Sequence, residues 1–309
     1  MSDTLFDASQ PIGLVGAGAL AHAFAATCAA QNPGHPVAVW ARSASQAVRM
    51  RDAVARSLDP QPDSDPVQLL DGIDECSELA TILLAVRDAD LEEVAAELAQ
   101  HPADRDDAVV LHASGALGPE VLAPLEAAGY HVARMHPLVS LRRKADVRAF
   151  RGVGFSVAGS GLARERARGL AQWLGGWVLP ELETDHVRVA YHAAASLLAG
   201  GCGVLFEYSL DGMARALGDR DAARRGLIQL LRSVATNLEE VEPRDALTGP
   251  SARGDVEVVR AHLEALTPEG AQLYSALLPA MLDMAFERGS LKEADRDRML
   301  AFLATARVG

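Results

Sequence analysis

The pattern of the chain opens on a short apolar run, Ile12-Gly13-Leu14-Val15, which breaks at Gly16-Ala17-Gly18 and passes into an alanine-rich stretch reaching Ala30. Such a run, turn and small-residue stretch predicts strand, tight turn and helix. Val37-Ala38-Val39-Trp40 is the next apolar run, introduced by Asn32-Pro33-Gly34 and Pro36, and reads as a second strand. A helix is predicted from Ser43 to Leu58, followed by a polar, proline-rich surface loop over Asp59 to Pro66. Leu79 to Val86 is almost continuously apolar, as expected of a parallel strand covered on both faces. An amphipathic helix (Asp90 to Gln100), a strand (Ala108 to His112), a helix (Pro119 to Ala128) and a strand (His131 to Met135) follow. Two further strands, Gly152 to Gly159 and Gly176 to Leu179, flank a helix over Ala163 to Leu174.

Strands alternating with helices predict an α/β fold with a doubly wound parallel sheet. From Thr184 onward only helical periodicity remains, broken near Gly218, Pro243 to Gly254, Thr267-Pro268 and Gly289. The expected organisation is therefore an α/β domain over residues 1–182 and an all-helical domain over 183–309. Val189 to Phe206 approaches membrane-spanning length, but it contains His192, Ser196 and three glycines, so a buried core helix is expected there rather than a membrane span.

Composition narrows the function classes. The 309 residues leave room for two domains, and the formal charge of −13 disfavours nucleic acid or an anionic membrane as partner. No basic block occurs beyond Arg142-Arg143-Lys144. Three widely spaced cysteines form no metal-ligand pattern. Met1 to Asp7 is acidic, without the basic start of a secretory signal, and reads as a lead-in to the first strand. A reducing, cytoplasmic setting and no metal are the expectations.

The candidate chemistry starts at Gly16-x-Gly18-x-x-Ala21. Gly16 permits the tight turn, Gly18 lets a pyrophosphate approach the backbone, and Ala21 packs helix on strand. The amides of Ala19 and Leu20, at the helix start, would hold phosphate charge. A site for NAD would place an acidic residue after the second strand, whereas this chain has Arg42-Ser43. A guanidinium and a hydroxyl suit a 2′-phosphate, so NADP is the expected cofactor. The alternative reading makes Arg42 a solvated loop residue and Ser43 a helix cap. Ligands of doubly wound sheets lie beyond the carboxyl ends of the strands, which points to Val86, Arg87, Ser114, Gly115 and His136. Arg87 with a capping Asp88, and Ser114-Gly115 as a plain turn, are the structural alternatives. In the helical half, Asp185, Arg188, His192 and Ser196 recur at helical spacing as one polar stripe. Arg253, in the loop Leu247 to Asp255, is a candidate anchor for a substrate carboxylate, with Asp255 placed to cap the following helix.

The fingerprint, His112-Ala113-Ser114-Gly115, His136-Pro137-Leu138, Tyr191-His192-Ala193-Ala194-Ala195 and Leu247 to Asp255 together resemble an uncharacterised family. Its members join a Rossmann-like NADP-binding domain to a C-terminal helical domain of unknown function. That family is similar in architecture to pyrroline-5-carboxylate reductases and, more distantly, to the 6-phosphogluconate and β-hydroxyacid dehydrogenases. The resemblance implies an NADP(H)-dependent oxidoreductase that reduces a small carboxylate-bearing imine or carbonyl compound. Members usually carry Pro where Arg87 stands and Ser-Asn where Ala199-Gly200 stand, so an amide expected in the cleft is missing here. The two lysines, Lys144 and Lys292, lie off the helix of His192, which disfavours the lysine-assisted chemistry of β-hydroxyacid dehydrogenases. His136 or His192 would serve as proton donor, with Ser196 on the same stripe and Arg253 as anchor. The alternatives are an NADP-binding regulatory protein without turnover and, more weakly, a flavin-like cofactor on the same scaffold. Apolar helices in the C-terminal half suggest a homodimer built through that domain.

Overall fold

A computed structural model describes residues 6–60, 64–182 and 184–306. Most of the predicted lead-in, and the centre of the proline-rich loop, lie outside the described residues. The chain divides into two compact units, Met1–Ser196 and Leu197–Gly309.

The first unit runs β1 (Ile12–Val15), α1 (Ala19–Gln31), β2 (Val37–Trp40), α2 (Ala44–Ser57), β3 (Val67–Leu69), β4 (Thr81–Leu84), α3 (Asp88–Leu98), β5 (Val109–His112), α4 (Ala123–Ala127), β6 (His131–Pro137), β7 (Gly154–Gly159), α5 (Gly161–Trp173) and β8 (Trp177–Val178). All eight strands form one sheet in the order β3-β2-β1-β4-β5-β6-β7-β8. The topology is doubly wound, with the order reversing between β1 and β4. One pairing departs from the parallel expectation, because β7 runs antiparallel to β6. The segment between them, residues 138–153, contains no helix, and a parallel return would need a crossover element.

Successive residues of the central strands enter two separate cores. Leu14, Leu83, Leu111, Ala133 and Met135 pack with Phe24 of α1 and Leu170 of α5. Val15, Ile82, Leu84, Val110 and Val132 pack with Leu91 and Val94 of α3. Burial on both faces is why the strands read as continuous apolar runs.

From Asp185 the described chain is helical: α6 (Asp185–Leu217), α7 (Arg220–Glu240), α8 (Pro243–Ala246), α9 (Pro250–Arg253), α10 (Val256–Ala265), α11 (Pro268–Glu287) and α12 (Glu293–Ala306). The division between the units falls inside α6. In the second unit, Asp219 caps α7 by accepting from the amides of Asp221 and Ala222, and Thr267 caps α11 through Gly270 N–H. Its main core joins Val259, Leu278, Leu282, Met299 and Leu303. A smaller one joins Leu210 of α6 to Ala223 and Leu227 of α7.

The expectation of a buried core helix over Val189 to Phe206 is not met. Along α6 only Leu210 is buried, while Leu197 and Leu198 are 76% and 70% exposed. The helix is apolar on several sides, and α7 covers it only near Leu210. It is the one described helix long and apolar enough to cross a membrane.

Candidate functional site

At the carboxyl end of β1 the chain turns through Gly16, whose φ of +122° excludes a side chain. A Cβ there would also stand 2.6 Å from the Ala85 carbonyl oxygen. Gly18 differs: its φ is −82°, and the nearest atom to an added Cβ is the Ala85 oxygen at 3.8 Å. The fold thus requires glycine at position 16 and leaves open space at position 18. α1 starts at Ala19 with no side-chain cap and no acidic residue in its first turn, so its N-terminal amides and dipole face that space uncompensated. His22, buried at 6% exposure, approaches the Gly18 carbonyl oxygen with Nδ1 at 2.9 Å. Burial, then the charge of Arg143, lowers its pKa.

Arg42, just past β2, is half exposed and bridges Glu93 at 2.9 Å and Glu97 at 3.6 Å on α3. It is therefore neither a free solvated residue nor a free cation. Ser43 occupies the first position before α2 without capping it by its side chain. Its hydroxyl lies 3.3 Å from that of Ser45. At the end of β4, Val86 stands beside Gly16, 3.4 Å from where a Cβ would be. Arg87 is 84% exposed and grips Asp90 with both Nε and Nη2. Asp88 does not cap α3 but accepts the Ser114 hydroxyl proton at 2.8 Å.

The carboxyl ends of β5 and β6 carry a second, largely buried polar group. Ser114 Oγ donates to Asp88 and accepts from the amides of Ala116 and Leu117 at 3.1 and 3.0 Å. Those three bonds use its full capacity, so the hydroxyl organises the turn after β5. His112, wholly buried, accepts from the Ser114 amide at Nδ1 and therefore donates from Nε2 to the Gly118 carbonyl oxygen. That pairing belongs to a neutral ring, and burial, then the charge of Arg134, lowers its pKa to about 4.

His136, on β6, bonds the Tyr191 hydroxyl through Nδ1 at 3.0 Å, and the two rings meet edge to face. His192 of α6 lies on the other side, its ring centroid 6.1 Å from that of His136. Gly115 is the floor between them. An added Cβ would fall 2.4 Å from His192 Nδ1 and 2.9 Å from His136 Nε2. His192 Nδ1 is buried without a hydrogen-bond partner. Burial, then Arg134 and His192, lowers the His136 pKa to about 4. Burial raises that of Tyr191, leaving its hydroxyl protonated at neutral pH. Arg188 ties the start of α6 to this turn, through the Ala116 carbonyl oxygen at 2.9 Å and Glu120 at 3.4 Å.

The structure thus brings together Ser114, Gly115, His136 and His192 from the sequence-predicted set, in the same unit as the Gly16–Gly18 turn. Ser196 is exposed, one turn beyond His192 on α6. Arg253 belongs to the second unit, is 64% exposed and pairs with Asp255 at 3.2 Å. Asp255 is accordingly not a side-chain cap for α10. Sequence reasoning did not single out His22, Arg134 or Ser156, and named His112 only within the family-like segment His112 to Gly115. A charge within the otherwise apolar strand Val132-Ala133-Arg134-Met135 was the available signal for Arg134. Among the described residues no group of three or more His, Cys, Asp or Glu could hold a metal ion.

Two family models match the chain: a Rossmann-like domain over residues 2–137 and a domain of unknown function, DUF2520, over residues 153–280. The chain thus carries a match to each of the two domains, in that order, and neither match covers half of its length. No curated protein matches it. Among solved structures, a Bacteroides fragilis protein described as a candidate NADP oxidoreductase is 20% identical, with 89% of this chain and 98% of that one covered at a TM-score of 0.69. A pyrroline-5-carboxylate reductase from Coxiella burnetii is 16% identical, covering 90% and 98% at 0.58. The pyrroline carboxylate reductase of Plasmodium falciparum, solved with NADP bound, is 11% identical, covering 92% and 98% at 0.57. At these identities the likeness is one of fold.

Proposed function

We propose that the chain is an NADP(H)-dependent oxidoreductase that reduces a small carboxylate-bearing imine or carbonyl compound. The observation that carries this reading is a bare, uncapped strand-to-helix turn at Gly18 in the same unit as a Tyr191–His136 pair facing His192. Space where a Cβ would fit, beside unpaired helical amides, is what a pyrophosphate requires. Gly18, Ala19 and Leu20 would hold that group, Arg42 and Ser43 the 2′-phosphate, and Val86 and Arg87 would border the cofactor with Ser114 and Gly115 behind it. The bound cofactor would supply the hydride.

The chain's own residues supply position and protons. His136 works as a neutral imidazole at physiological pH, so it orients and hydrogen-bonds rather than acting as an imidazolium acid. Tyr191 holds its proton and bonds His136, and His192 presents an unpartnered nitrogen beside the same glycine. The described structural neighbours named as NADP oxidoreductases and pyrroline carboxylate reductases support the reaction class.

Calorimetric titration with NADPH and NADH, followed by a screen of imino and keto acids for loss of NADPH absorbance, tests the proposal. Indifference to both nucleotides would end it. The alternative, a nucleotide-binding protein without turnover, draws on one observation: neither of the chain's two lysines is on the helix that carries Tyr191 and His192. Tight NADPH binding with no substrate consumed would select it.

The same proposal includes a homodimer through the helical region. Leu197, Leu198, Leu230 and Leu238 are all exposed by 48% or more, and large apolar surfaces of this kind are normally covered. Sedimentation showing a monomer at micromolar concentration would contradict it.

A further inference from the structure

Arg134 is wholly buried in the middle of β6. Its Nη2 donates to Ser156 Oγ at 2.7 Å and its Nη1 to the Gly115 carbonyl oxygen at 3.5 Å. Its Nε has no partner, and no carboxylate among the described residues pairs with it. Burying a charge without a counterion is strongly unfavourable. Burial and Arg188 pull its pKa down, yet a guanidinium does not surrender its proton. The adjustment therefore falls on neighbours that can be neutral.

Two such neighbours share its face of the sheet. His112 is its register partner on β5, and His136 follows two residues along β6, opposite Ser156 of β7. The groups acting on His136 can be named element by element. Arg134 comes from its own strand, His192 and Tyr191 from α6, His112 from β5 and Asp88 from the start of α3. β7 offers the uncharged Ser156. Asp88 alone favours a protonated ring, and its carboxylate is engaged by Ser114.

We propose that Arg134 is a positioning residue: its buried guanidinium, held by Ser156 and the Gly115 carbonyl on the face of β6 that His136 shares, acts together with burial to fix the form of the imidazole, with Nδ1 paired to the Tyr191 hydroxyl and Nε2 facing the Gly115 floor. The role goes beyond holding strands together: Arg134 fixes which form of the imidazole the cleft presents. It rests on the oxidoreductase reading only for the purpose of that imidazole, and the test below does not use turnover.

The test is an NMR titration of imidazole-labelled full-length protein from pH 8 to 4.5, with His136 assigned by His136→Gln. In the unsubstituted protein the His136 signal should remain that of a neutral ring to below pH 5. In Arg134→Met its midpoint should rise by about one pH unit, a tenfold gain in proton affinity. In Arg134→Lys, which keeps the charge and loses the fork to Ser156, it should stay low. Should Arg134→Met fail to fold, Arg134→Gln replaces it with the same expectation. A His136 midpoint at the ordinary histidine value in the unsubstituted protein overturns the proposal. So does a neutral substitution that leaves the midpoint unmoved, or an Arg134→Lys midpoint that rises with it. Absence of NADPH turnover would count against the oxidoreductase reading and leave this result standing.

Discussion

Replacing Gly18 by alanine separates what the fold needs from what a ligand needs. The backbone at Gly18, φ −82° and ψ −170°, is open to any residue, and an added methyl finds its nearest neighbour at 3.8 Å. Folding should therefore tolerate the change. The loss of freedom in the unfolded chain should stabilise the native state by about 0.4–1 kcal/mol, a rise of about 0.6–1.5 °C in melting temperature for a protein of this size. Under the proposed reading, the methyl would stand where the pyrophosphate approaches. Overfilling a close contact costs about 1–3 kcal/mol, which is roughly a 5- to 150-fold loss of NADPH affinity. Gly16→Ala is the contrast, since at φ +122° and 2.6 Å from Ala85 O the fold itself is damaged. Thermal unfolding and NADPH titration calorimetry, run on both variants, give the assay. A Gly18→Ala protein that binds NADPH as tightly as the parent would refute the assignment of the turn to a pyrophosphate.

Arg42→Ala should weaken NADPH binding by roughly tenfold while leaving NADH unchanged, and neutralising Glu93 and Glu97 should strengthen NADPH alone, both read by calorimetry. An equal effect on the two nucleotides would detach Arg42 from the 2′-phosphate. Stability should fall on acidification. His112 and His136 protonate near pH 4 when folded against about 6.5 for the free side chain. The unfolded chain therefore takes up protons first, and stability is full above about pH 6.5 and lost toward pH 4. Each ring contributes about 3 kcal/mol across that window. Urea unfolding at pH 7 and 5 checks this, and a flat profile would contradict it. Tyr191→Phe should lower kcat by about 100-fold with little change in NADPH affinity, measured on whichever substrate the screen returns.

Much of the first unit is legible from pattern alone. β1 and β2 fall where their apolar runs predict, and the open turn at Gly18 follows from the fingerprint spacing. β3 escapes because three residues, flanked by Pro66 and by Leu70-Asp71-Gly72, give too short an alternation to register. The antiparallel β7 depends on the missing crossover helix, which a run of valine and glycine does not announce. Ser114, Gly115, His136 and His192 are visible singly as strand ends and a helical stripe. Their meeting around one glycine depends on strand register and on where α6 begins to pack. The same limit explains α6 itself: apolar periodicity reports that a face seeks cover, and says nothing of what supplies it.

Asp88 and Ser114 join the first residue of α3 to the turn after β5 through a hydroxyl with no bonding capacity to spare. The loop leaving β4 and the loop leaving β5 are consequently coupled as one mechanical piece. Pressure from a dinucleotide settling against Val86 would be transmitted to Gly115 and so to the imidazoles above it. Under the reading proposed above, that coupling favours an ordered sequence in which the nucleotide enters first and sharpens the cleft for the second reactant.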